Sequence, residues 1–169
     1  MPGTEEGKIG ITLVNQVRAS SIAILGIVLM LIALYFLDFN LDAIRIFSIF
    51  WIALILPVVY LHVEYFFSNL TLKLSLETDK LVLNKGGKDL IYVFTDIEKV
   101  ILYKSASIDK GGIPMSPMEM YHYARIITKS GEELIITCLM VPKLSELLKQ
   151  LKGVKLERKK RPFCTIFWR

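Results

Sequence analysis

Two long apolar runs stand near the start of the chain, and an alternating pattern replaces them after Ser68. The first, Ala19 to Leu37, is 19 residues without a charge. At about 1.5 Å per residue it spans about 28 Å, close to the roughly 30 Å hydrocarbon core of a bilayer. The second, Ala43 to Leu61, carries one charge, Arg45, near its start, where a long guanidinium stem can reach the headgroups. Pro57 in its last third is tolerable in a membrane helix. Asp38-Phe39-Asn40-Leu41-Asp42 between the runs makes a tight polar turn, so the two helices are antiparallel neighbours. Trp51 is too deep for an interface anchor and is expected to pack on the first helix. A buried soluble hairpin would not need two runs apolar all round, and no small-residue cleavage site follows the first run, so both are read as retained.

Beyond Ser68 the period changes to two. Leu70, Leu72, Leu74 and Leu76 alternate with Thr71, Lys73, Ser75 and Glu77, the mark of a strand with one buried face. Lys80 to Asn84 and Leu90 to Phe94 flank the hairpin turn Asn84-Lys85-Gly86-Gly87. Lys99 to Lys104, Met120 to Thr128 and Glu133 to Met140 complete six predicted strands on short turns, an antiparallel meander. Leu144, Leu147, Leu148 and Leu151 fall at i, i+3, i+4, i+7, one face of a helix with Pro142 at its start and Gly153 at its stop. The predicted fold class is α+β: an N-terminal transmembrane helical hairpin, then an antiparallel barrel or meander closed by a C-terminal helix. The predicted divisions are an N-tail over 1–18, a hairpin over 19–67, a soluble domain over 69–152 and a basic aromatic tail over 153–169.

Leu81-Val82-Leu83, a glycine turn, Ile91-Tyr92-Val93 and Thr95-Asp96-Ile97-Glu98-Lys99-Val100 resemble the first half of bacterial pleckstrin-homology-like (PH-like) domains. Tyr123 to Leu139, followed by Leu144 to Leu151, is similar to the second half. The whole chain resembles small bacterial membrane proteins with two helices before such a domain. That resemblance implies a non-enzymatic interaction module and names no ligand; phosphoinositide binding does not follow from it.

Charge and candidate chemistry refine this picture. The net charge is +5, and the last 21 residues hold eight Lys or Arg against the single acid Glu157. Lys8 and Arg18 precede the hairpin, Arg45 is the sole basic residue near its turn, and 18 follow residue 61, so both termini are expected in the cytoplasm. His62 and His122 have no metal-site spacing, and Cys138 and Cys164 are too few for a disulfide framework. Cys164 beside Phe163 carries no acylation motif. No nucleophile, Walker or dinucleotide pattern is present, so no catalytic, metal or cofactor site is predicted.

Two stretches are candidate membrane-surface or partner sites. Arg158, Lys159, Lys160 and Arg161 adjoin Phe163 and Trp168, a basic aromatic mixture suited to an anionic lipid interface. The 15-residue loop from Ser105 to Glu119 carries apolar Ile113 and Met115. The expected partners are membrane lipids and either a protein or further copies of the chain through the hairpin, with Gly26 and the serines as a contact face; nucleic acid is not expected. A subunit of a larger membrane assembly is the alternative reading, and an enzyme would require residues gathered from distant segments.

Overall fold

A computed structural model describes residues 9–167. Two long helices lead, α1 (Leu13–Phe36) and α2 (Leu41–Asn69). Thr12 caps α1 by accepting the Asn15 N–H, and the Asn40 side chain caps α2 by accepting from Asp42 and Ala43. Asp38 and Phe39 close the turn between them in left-handed backbone. Both helices pass the length and composition expected of a membrane span, and little of either is buried within the protein. Each extends beyond the predicted run. The continuation of α2 to Asn69 matters most, because His62 to Ser68 is helix rather than a linker.

Trp51 packs on the first helix as expected, against Gly26, where a Cβ would collide with the indole. The Gly26 face is therefore taken within the hairpin. Of the serines read as part of a contact face, Ser20 lies within reach of His62 and Tyr121, and Ser21 donates to the Arg18 carbonyl.

Two sheets follow. The first is β1 (Leu72–Leu76), β2 (Lys80–Lys85) and β3 (Lys88–Val93), antiparallel in that order. Gly86 and Gly87, at φ 59° and 86°, make the tight β2–β3 turn that only positive φ allows. A single 3-10 turn, Phe94–Asp96, leads to the second sheet, which contains β4 (Ile97–Lys104), β5 (Tyr123–Thr128), β6 (Glu133–Thr137) and β7 (Lys155–Lys160). Its order is β6-β5-β4-β7, with β7 parallel to β4.

Seven strands are thus present among the described residues, against six predicted. The seventh is the basic run Lys155 to Lys160, which reads as a solvated tail because lysines on an edge strand hide it from any hydrophobic pattern. The two sheets do not form a closed barrel. The C-terminal helix is short, α4 (Leu144–Leu148), starting after Lys143 rather than at Pro142, and β7 follows it. Its leucine spacing is real nonetheless: Leu144, Leu147, Leu148 and Leu151 are all buried between the sheets.

The second sheet is buried on both faces. Val100, Leu102, Ala124, Ile126, Leu134 and Ile136 face the first sheet and α4. The alternate residues Ile101, Tyr103, Tyr123, Ile127 and Ile135 face the hairpin. There they meet Ala19 and Ala23 of α1 and Val58, Leu61 and Tyr65 of α2. Double burial explains why Val100-Ile101-Leu102-Tyr103 is continuous rather than alternating.

Because Gly26 admits the Trp51 ring, Gly26→Leu is expected to destabilise the hairpin by about 1–3 kcal/mol. Adding Trp51→Ala should recover part of that loss. Thermal unfolding of the three variants in detergent micelles checks both outcomes.

Candidate interaction surfaces and the C-terminal clasp

The predicted basic cluster is not a uniform patch. Alternation along β7 and into the residue after it sends Lys159 and Arg161 to the hairpin side, where they lie 5.9 and 4.8 Å from the centre of the Tyr103 ring. Arg158 and Lys160 instead pair with Asp109 at 3.7 and 3.9 Å. Asp109 ends α3 (Ala106–Asp109), a turn of helix within the long loop. Phe163 stacks on Tyr60 of α2, with centroids 6.1 Å apart. Trp168 lies outside the described residues.

After β7 the chain crosses to α2 and is clasped there by side chains. The Tyr65 hydroxyl donates to the Cys164 carbonyl at 2.6 Å, Tyr123 to Thr165 at 3.2 Å, and Arg125 to Ile166 at 3.2 Å. One oxygen of Glu64 accepts from the Thr165 hydroxyl at 2.7 Å and from the Ile166 and Phe167 N–H groups at 3.0 and 3.2 Å. Glu64 is 6 % exposed, and these donors offset part of the cost of burying its carboxyl group, whose other oxygen is buried with no hydrogen-bond partner among the described residues. Cys164 is buried, which closes it to modification, and burial pushes its thiol up to about 12. Cys138 is likewise buried and pushed up to about 12.

None of the clasp residues stands out by motif. A signal was available all the same. Glu64 is the sole acid between Asp42 and Glu77, and Arg125 the sole charge between Met120 and Thr128. A charge inside an apolar stretch needs a partner.

The long loop is ordered. Ser105 caps α3, and Glu119 accepts from the Ser107 hydroxyl and from the Met115 N–H at 3.0 Å. A 3-10 turn, Pro117–Met120, packs against both α1 and α2. At its end the Tyr121 hydroxyl lies 3.0 Å from His62 Nδ1. Ile113 and Met115 project outward, 87 % and 91 % exposed.

The four sheet edges are treated differently. Ile9 exchanges two backbone bonds with Leu74 on the outer side of β1. The Asn69 amide bonds both Ile135 O and Thr137 N–H, standing in for a strand beside β6. β7 is protected by its charges. β3 carries only Lys88 and Asp89 at its start, and beyond them Leu90, Ile91 and Val93 are 41, 59 and 36 % exposed. The Lys85–Lys88 turn pairs β3 with β2 through Leu90 and Tyr92, so the backbone groups of Asp89, Ile91 and Val93 point away from the sheet. A cleft of about 340 Å³ runs beside them, lined by Ile91, Tyr92, Thr128 and Glu132 among others.

His122 is buried between two carbonyls, Met120 O at 3.0 Å from Nδ1 and Pro142 O at 3.3 Å from Nε2. Among the described residues no group of three His, Cys, Asp or Glu is placed to hold a metal.

The family model for the PH domain matches residues 12–149. The chain belongs to the PH domain family. No curated protein matches it. The match takes in both long helices, β1 to β6 and the clasping side chains Glu64, Tyr65, Tyr123 and Arg125, whereas β7 and the clasped segment 164–167 follow its end. PH domains are in general non-catalytic interaction modules that bind lipids or proteins.

Glu64→Ala removes the acceptor for three donors and is expected to cost about 2–3 kcal/mol. Glu64→Gln, which keeps an acceptor oxygen, should cost less. Thermal unfolding in detergent, with the rate of carboxypeptidase trimming as second readout, checks the order.

Burial holds the His122 imidazole down at about 4, with the two carbonyls opposing that shift only in part. The unfolded chain therefore takes up a proton near 6.5 that the folded protein refuses. Stability from this residue is complete above about pH 6.5 and lost as pH falls towards 4, by roughly 3 kcal/mol in all. His122→Gln should flatten that part of the stability profile, measured by chemical unfolding between pH 4 and 7.

Proposed function

We propose that this PH domain protein is a membrane-anchored, non-enzymatic interaction module whose hairpin crosses the membrane and whose domain and both termini lie on the cytoplasmic face. The exposed apolar surface of the hairpin carries this reading. Ile46, Ile49, Phe50 and Ile52 are 59–73 % exposed, and Leu25 and Leu29 more than half so. Water is a poor solvent for such a surface and hydrocarbon a good one. The lysine and arginine asymmetry supports the orientation.

The partner-binding surface in this reading is the open edge of β3, and the partner is a protein that adds an extended segment to it. Outward backbone groups at Asp89, Ile91 and Val93 supply a ladder, and the exposed apolar side chains supply contact area. The assembly-subunit alternative has less support from the hairpin, because Trp51 occupies the Gly26 face.

Two measurements on the full chain test this. Cysteines placed at Asp42 and Lys129 should react with an impermeant maleimide from opposite sides of the membrane; labelling from one side would end the anchoring reading. Ile91→Pro removes an outward N–H without touching the bonds to β2. It should abolish crosslinking of a stoichiometric protein partner in native membranes, and retention of that partner would remove β3 as the docking edge.

A further inference from the structure

We propose that the loop tip Ile113-Pro114-Met115 is a further membrane-contact site, inserting at the boundary between headgroups and acyl chains of the leaflet beside the domain. This depends on the anchoring reading given above and adds a depth and an orientation to it.

The depth comes from what the neighbouring turn touches. Met118, Met120 and Tyr121 pack in one cluster with Ala19 and Ala23 of α1 and with Val58 and Leu61 of α2. Ala23 and Val58 lie inside the two apolar runs. The Pro117–Met120 turn therefore sits where the runs end. Met115 is two residues before it, within about 7 Å even for a fully extended chain.

The tip is presented rather than loose. Glu119 holds the Met115 N–H from one side of the loop and the Ser107 hydroxyl from the other. Gly111 takes φ 72°, and the Gly112 N–H bonds the Ser107 carbonyl at 2.8 Å. Within this frame Ile113 and Met115 are more exposed than any other large apolar side chain described. They belong to neither hydrophobic cluster. Exposed Lys110 precedes them, and Asp109 of α3 pairs with half-exposed Arg158 and Lys160, so cations lie beside the loop that carries the apolar tip. That order of apolar tip then basic rim matches the order of acyl chain then anionic headgroup.

The lipid source is tested on the full chain in nanodiscs of phosphatidylcholine and phosphatidylglycerol. An environment-sensitive NBD label is attached to one introduced cysteine at a time: Met115→Cys, Ile52→Cys in the hairpin, and Lys129→Cys in the β5–β6 turn. Doxyl groups on the lipid chains quench by contact. The label at 115 is expected to be blue-shifted and quenched most by a doxyl group near the headgroup. The label at 52 should be quenched by a deeper one, and that at 129 by neither. If 115 behaves like 129 while 52 is quenched, the loop proposal fails and the anchor stands. If 52 is not quenched, the anchoring reading itself fails. A label at 115 that is blue-shifted but unquenched is covered by protein, which also overturns the lipid assignment.

Discussion

The buried carboxylate of Glu64 governs the relation between the two halves of this protein. Three donors from Thr165, Ile166 and Phe167 converge on one of its oxygens, and all three come from the far end of the chain. Without those donors neither oxygen would have a partner, and desolvation of the group would stand uncompensated at a cost on the order of several kcal/mol. With the tail bound, the last turns of α2 can bury Leu61, Tyr65 and Asn69 at i, i+4 and i+8 against the sheet. The helix is thus a structural wall of the domain, not a stalk beneath it.

That wall accounts for the family match as well as for the sheet. A PH domain model that begins at residue 12 takes in the entire hairpin. The physical reason is visible in Ile101, Tyr103 and Tyr123, whose side chains leave the core between the sheets and bury against α1 and α2. Cutting the chain at residue 69 would strip the cover from those side chains and take Asn69 off the β6 edge. Those contacts tie the last turns of α2 to the sheet across the point where composition changes from apolar to mixed.

Legibility in the sequence followed the strength of each local pattern. The hairpin, the glycine turn at Gly86-Gly87 and the meander were legible because periods of 3.6 and 2 and positive-φ residues act within a few neighbours. The packing of Trp51 on the first helix was legible from depth alone. β7 was not, because Lys155-Leu156-Glu157-Arg158-Lys159-Lys160 shows only Leu156 to a hydrophobic scale, and its pairing with β4 is between residues more than fifty positions apart. Pairing at that range leaves no local trace. The clasp was hidden for a related reason: its acceptors are mostly backbone carbonyls of residues 164 to 166, which every sequence has. Of the predicted basic site, Lys159 and Arg161 turn to Tyr103 while Arg158 and Lys160 turn to Asp109, a split that period-two geometry dictates once the run is known to be a strand.

The same contacts constrain how such a module can work. A PH domain on a flexible tether searches a volume, and its affinity for a surface partner depends on linker length. Here no linker exists, since α2 enters the domain as helix and is held by Tyr65, Asn69 and Glu64. Orientational freedom is removed during folding rather than at each encounter, which lowers the entropic cost of binding any partner that meets the β3 edge at the right height. The corresponding loss is reach: a partner placed elsewhere cannot be met by bending. Under the proposed function, a β3 edge held rigidly to an apolar hairpin would set the position of a partner rather than seek it out.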